Sequence, residues 1–197
     1  MKAPYLFLLC IASLVRPAGA IDLVPRYVST MNDGVVSQRP YFADGDKKYA
    51  VKLDSETKLT ESEGGASFRF DKFPGAMLRL RQSPIPAQVA FAPESLERYQ
   101  QAARALLSGG AEDIVFLEST PNPLPINNWQ SYRFTFSYHV AGETRRQSVT
   151  FLDLNPTEQI VIQTASSERN FAEISARAYN IIRRWHEVVP AEETPFN

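Results

Sequence analysis

The 197-residue chain is 44% hydrophobic and 22% charged, with a formal net charge of −1. That length and composition suit one globular domain with a sizeable core and a short appendage. The near-neutral balance argues against nucleic acid or an anionic membrane as the main partner, although it leaves room for a local basic patch.

The appendage comes first. Lys2 supplies a positive start, residues 5–15 are apolar but for Ser13, and Ala18-Gly19-Ala20 places small residues where a leader is cut. A stretch of that length is too short for a bilayer span, which needs about 20 residues. A removed signal peptide over residues 1–20 is therefore expected ahead of an uncleaved interfacial anchor, and with it an exported protein, periplasmic or extracellular and bacterial. The one cysteine, Cys10, lies within that leader and follows Leu9, not the small residue that lipidation needs. The processed chain would then hold no cysteine, and so no disulfide, thiol nucleophile or thiolate metal ligand. Without Lys2 and Arg16, 19 basic residues face 22 acidic ones, a net charge of −3.

Residues 21–48 show no sustained period and carry turn chemistry at Asn32-Asp33-Gly34 and Asp44-Gly45-Asp46. They read as an N-terminal arm with one short strand near residues 23–28. Order is expected to begin at residues 49–53, followed by a polar loop over 54–65 and short strands at 66–70 and 76–82, an antiparallel meander. Residues 83–92 hold Pro84 and Pro86 and read as a crossover. Pro93 suits a first helical turn, where its missing N–H costs nothing. Leu96, Tyr99, Ala103, Leu106 and Leu107 then recur at helical spacing up to Gly109-Gly110.

A strand is expected at 114–119, then an extended loop imposed by Pro121, Pro123 and Pro125. A strand is expected at 130–140, within which residues 132–140 alternate apolar and polar without a break, and further strands follow at 145–154 and 159–165. Asn170 and Glu173 have capping-box spacing for a last helix running to about residue 187. Its apolar stripe is Phe171, Ile174, Ala178, Ile181, Ile182 and Trp185. The order β-β-β-α-β-β-β-β-α predicts an α+β fold, an antiparallel sheet packed with two main helices. Strands with one apolar and one polar face place those helices mainly on one side. Residues 49–188 form this single domain, and 189–197 a tail.

Tyr132-Arg133-Phe134-Thr135-Phe136, Gln147-Ser148-Val149-Thr150-Phe151, Gln159-Ile160-Val161-Ile162 and the stripe from Phe171 to Trp185 together resemble the C-terminal half of the PsbP-like fold. With the earlier meander and helix, the resemblance covers about residues 49–188. It is a resemblance of pattern, because no signature residue set defines that superfamily. It implies a binding or assembly role without catalysis, through a protein partner. No partner-contact residue of its known branches matches a position here, so none is carried over. The superfamily usually has helices on both sheet faces. Here Ser131, Arg133, Thr135, Ser137 and His139 read as a polar second face, expected to be open or covered only by the N-terminal arm.

Catalytic patterns are absent: there is no glycine-rich phosphate loop, and Gly64-Gly65-Ala66-Ser67 lacks the glycine spacing of a nucleophile elbow. Two histidines, His139 and His186, and no thiol leave no metal set, and no cofactor is implied. His139 reads as a polar-face residue, and His186 as last-turn charge at a helix end. More informative are Arg79, Arg81, Arg133, Arg145 and Arg146. Arg79 and Arg81 share one strand face. If that face aligns with the polar face of residues 131–139, the sheet presents a cationic surface to a carboxylate-rich partner; the bland alternative is a solvated face. Trp129, in the proline loop, reads either as a partner contact or as a cap folded back on the core.

Three functions remain in view. The first is a protein-binding module using Arg79, Arg81, Arg133, His139 and Trp129. The second is a small-ligand or lipid carrier with a cavity lined by Tyr132, Phe134, Phe136 and Tyr138. The third is a hydrolase built near His139.

Overall fold

The computed structural model describes residues 21–32 and 35–185. The expected leader, His186 and the tail lie outside the described residues. The strands are β1 (Asp22–Asn32), β2 (Val35–Asp44), β3 (Lys47–Ala50), β4 (Thr57–Ser62), β5 (Gly65–Phe70) and β6 (Met77–Gln82), then β7 (Glu112–Pro121), β8 (Ser131–Val140), β9 (Glu143–Asn155) and β10 (Glu158–Ser167). Helix α1 (Pro93–Ala105) stands between β6 and β7, and α2 (Phe171–Ile182) closes the described fold. The protein is α+β, as its alternation predicts. None of its described helices is long and apolar enough to cross a membrane.

Seven strands form the main sheet in the order β4-β5-β6-β10-β9-β8-β7, and β1-β2-β3 form a second sheet. Every pairing is antiparallel. Three strands were not expected in full. The region read as an arm holds the β1–β2 ribbon, whose outer part, Val35 to Arg39, is exposed and so shows no one-sided period. The segment read as a polar loop contains β4, in which only Thr57 and Leu59 turn inward.

The helices lie on opposite faces of the sheet, which corrects the expectation of one covered side. Tyr99 and Ala103 of α1 pack on Phe134, Phe136, Val149, Phe151 and Val161. Ile174, Ala178, Ile181 and Ile182 of α2, with Trp185, pack on Leu78, Leu80, Leu152, Ile160 and Ile162 and on Phe42 and Tyr49 of the small sheet. The apolar face of β8 therefore belongs to α1 rather than α2, and its polar face is the one that α2 covers. Each large side chain so buried contributes about 1.5–3 kcal/mol before the entropy of ordering it is subtracted.

Helix α1 opens on Pro93 as expected but ends at Leu106, before Gly109-Gly110, and α2 lacks the side-chain cap expected for it. Asn170 makes no side-chain cap; a 3₁₀ turn, Glu168–Asn170, leads into α2 instead. At the end of α1 the Leu106 carbonyl accepts from Gln147 Nε2 at 3.0 Å and Gln163 Nε2 at 2.8 Å. These two buried amides satisfy a helix-end acceptor from the sheet below.

Candidate functional site

The open surface of the sheet lies over β4, β5 and β6. Their inward residues, Leu59, Ala66, Phe68, Phe70, Leu78 and Leu80, are all buried. Their outward residues are Lys58, Thr60, Ser67, Arg69, Met77, Arg79 and Arg81, each exposed or half-buried. Register places Lys58 opposite Arg69, Ser67 opposite Arg79 and Gly65 opposite Arg81. A Cβ on Gly65 would lie 1.9 Å from the Leu80 carbonyl oxygen, so the position across from Arg81 stays bare.

Three arginines on two adjacent strands repel one another unless something neutralises them. Arg133, Arg145, Arg146 and Arg177 each meet a carboxylate. Among the described residues, Arg69, Arg79 and Arg81 meet none within ion-pair distance. Arg79 Nε is buried without a hydrogen-bond partner. Burial lowers the pKa of the Arg81 guanidinium, and the charge of Arg79 lowers it further; it stays charged at any ordinary pH.

Arg133 is not part of this surface. Arg79 stands opposite Gln163, Gln163 opposite Val149, and Val149 opposite Phe134, so Arg79 shares the α1 face of the sheet. Arg133, the neighbour of Phe134, points to the α2 face. The single cationic face joining Arg79, Arg81 and Arg133 is thus corrected to a β5–β6 cluster with Arg69 in place of Arg133. The signal for Arg69 was the alternation Ser67-Phe68-Arg69-Phe70, which pairs it with an arginine strand.

Arg133 instead lines a small cleft between α2, β8–β10 and the proline loop. Pro123, Leu124, Ser148, Thr150, Thr164 and Ser175 line it too, around about 40 Å³ of space open to water. Its guanidinium reaches Thr120 Oγ1 at 3.4 Å and Glu118 Oε1 at 3.9 Å. Arg133 Nε and Ser175 Oγ are buried without partners. The apolar cavity expected on the other face is filled: Phe134, Phe136 and Tyr138 are at most 1% exposed, and Tyr132 packs on Phe91 and Phe134.

His139 sits at the exposed end of β8. Its Nδ1 is 3.7 Å from Asp113 Oδ2, and its Nε2 is 3.0 Å from Thr144 Oγ1. The connectivity is that of a triad, but the His139 and Asp113 side chains are 51% and 82% exposed, in water that screens any charge they share. Trp129 takes the second of its two expected roles: half-buried, it packs on the core, with its ring 5.9 Å from that of Tyr49.

No protein-family model and no curated protein matches the sequence. Among solved structures, the chain is similar to LpqN of Mycobacterium tuberculosis, described as involved in cell envelope biogenesis, with TM-score 0.47 and 11% identity over 83% of this chain and 90% of that one. It is similar to the cyanobacterial PsbP, CyanoP, of Synechocystis sp. PCC 6803, with TM-score 0.44 and 14% identity over 91% and 99%. A third is the Pseudomonas aeruginosa protein PA94, described as a putative regulator, with TM-score 0.40 and 5% identity over 80% and 94%. At such identities no residue role passes from them to this chain.

Proposed function

We propose that this chain is an exported, non-enzymatic module that binds an acidic segment of a protein partner on the open face of β4–β6. The observation that carries the reading is the cluster Arg69, Arg79 and Arg81, which meets no carboxylate among the described residues and lies on the part of the sheet that neither described helix covers. Planar guanidinium groups bind carboxylates through two parallel hydrogen bonds, and a partner carboxylate also relieves the repulsion among the three. The export part of the reading rests on the leader pattern of residues 1–20.

The test is a charge reversal. Arg79→Glu with Arg81→Glu is expected to weaken binding about a hundredfold, so that the cross-linked partner identified by mass spectrometry is no longer recovered, and to lower the salt dependence of the binding that remains. Arg133→Glu is expected to leave both unchanged. Equal recovery after the double reversal contradicts the reading.

The cleft favours a second reading, in which a small carboxylate or phosphate group is held by Arg133 and the hydroxyls around it. Calorimetric titration with acetate and with inorganic phosphate tests it. Heat of binding that disappears in Arg133→Gln supports it, and no heat in the native chain sinks it.

A further inference from the structure

Ile21 lies inside the core. It is 6% exposed and belongs to the same apolar cluster as Leu23, Phe42 and Tyr49. Its backbone nitrogen donates to Glu158 Oε1 at 2.6 Å, in a buried bond that spans 137 residues of sequence. Glu158 is 4% exposed, and its other oxygen accepts from Asn155 Nδ2 at 3.1 Å. Among the described residues no lysine or arginine pairs with Glu158.

A carboxylate this deeply buried stays ionised only with a positive partner as well as hydrogen bonds, and without one it takes up a proton. Two neutral N–H groups provide the bonds but not the charge. Burial raises the Glu158 pKa, and the nearby Asp44 carboxylate raises it further. The missing charge is one that the chain can make at this very atom, because Ala18-Gly19-Ala20 ends one bond before it.

We propose that cleavage between Ala20 and Ile21 turns the Ile21 nitrogen into the buried counter-ion of Glu158, so that processing completes an ion pair tying the N-terminal sheet to the β9–β10 turn. This rests on the reading of residues 1–20 as a removed leader. The step is a hydrolysis by a leader peptidase. Water adds across the Ala20–Ile21 amide, its oxygen staying on the departing Ala20 carboxylate. The released amine takes up the protons and becomes an ammonium. The atom already stands 2.6 Å from Glu158, so the charge appears in place. A cut one residue to either side would displace it by about 3.8 Å, one Cα step. Asp44 adds to the negative field that the ammonium meets, whereas Asp22 is paired with Arg26 at 3.0 Å.

The test has two parts. N-terminal sequencing of the processed protein is expected to begin at Ile21. Urea unfolding is then compared for the processed chain and a cleavage-blocked precursor, each with Glu158 and with Glu158→Gln. The substitution is expected to raise the unfolding constant at least about tenfold more in the processed chain, as loss of one partner of a buried pair should. Should Glu158→Gln fail to fold, the native processed chain provides a second readout. Its α-amine is expected to react with acetic anhydride at least about tenfold more slowly than an exposed one, because the paired ammonium is buried. A start at another residue overturns the proposal, and a retained leader overturns the leader reading beneath it as well. A start at Ile21 with equal effects in both chains, or with an α-amine of ordinary reactivity, overturns the ion pair alone and leaves the leader reading standing.

Discussion

Strands β8, β9 and β10 are covered on both faces, while β4, β5 and β6 are covered on one. In the first half α1 lies over Phe134, Phe151 and Val161, and α2 over Ile162 and the hydroxyls of Ser148, Thr150 and Thr164. In the second half the inner face carries Phe68, Leu78 and Leu80, and the outer face carries arginine. Both halves alternate in sequence, and both present a polar face. What separates them is whether that face meets a helix. Serine and threonine can lie under α2 because their hydroxyls are small and cheap to desolvate, whereas three unpaired guanidinium groups must remain in reach of water or of a partner's carboxylates.

The widest expected difference between the halves is in stability. Phe151→Ala, in the doubly covered half, should cost about 3–5 kcal/mol, because the ring is 0% exposed and packs on Tyr99 and Phe134. Arg69→Ala, in the open half, should change stability by less than about 0.5 kcal/mol. Urea midpoints measure both, and similar losses would break the distinction. Next in size, the double reversal of Arg79 and Arg81 should weaken partner binding about a hundredfold without lowering Tm.

A smaller effect sharpens the covered half. Burial raises the Asp153 pKa, partly offset by the hydrogen bond from Gln159. The folded state then holds the proton more tightly than the unfolded one. Stability is fully present below the ordinary aspartate range and is lost as pH rises through the raised value. Asp153→Asn keeps an acceptor for Gln159 and should flatten that decline, as Tm measured against pH would show. Smallest of all, Arg177→Ala removes contacts to Asp54, Glu56 and Glu173. The expected drop in Tm is slight and disappears at high salt.

Much of the fold was legible because its helices and central strands carry strong periods. Pro93 opens α1, and Ile174, Ala178, Ile181 and Ile182 mark the buried stripe of α2. Strand β4 was hidden because Thr57 and Leu59 alone turn inward among Lys58, Thr60 and Glu61. The β1–β2 ribbon was hidden because its outer part is exposed on both sides. Of the site residues, Arg79 and Arg81 were rightly placed together, since they stand two apart on one strand. Arg133 was grouped with them because the alternation of one strand does not say which face of a neighbouring strand it shares. That depends on the pairing register of β6, β10, β9 and β8, four strands in a row. The bond from Ile21 to Glu158 joins residues 137 apart and has no local signal at all.

The most direct measurement places a photo-activated cross-linker at Ser67, between Arg69 and Arg79 on the open half, and separately at Ala172, exposed on the helix that covers the other half. In the native cell, position 67 is expected to yield one acidic protein adduct that disappears on reversal of Arg79 and Arg81, and position 172 none. An adduct from position 172 alone, or one from position 67 that survives the reversal, would contradict the account.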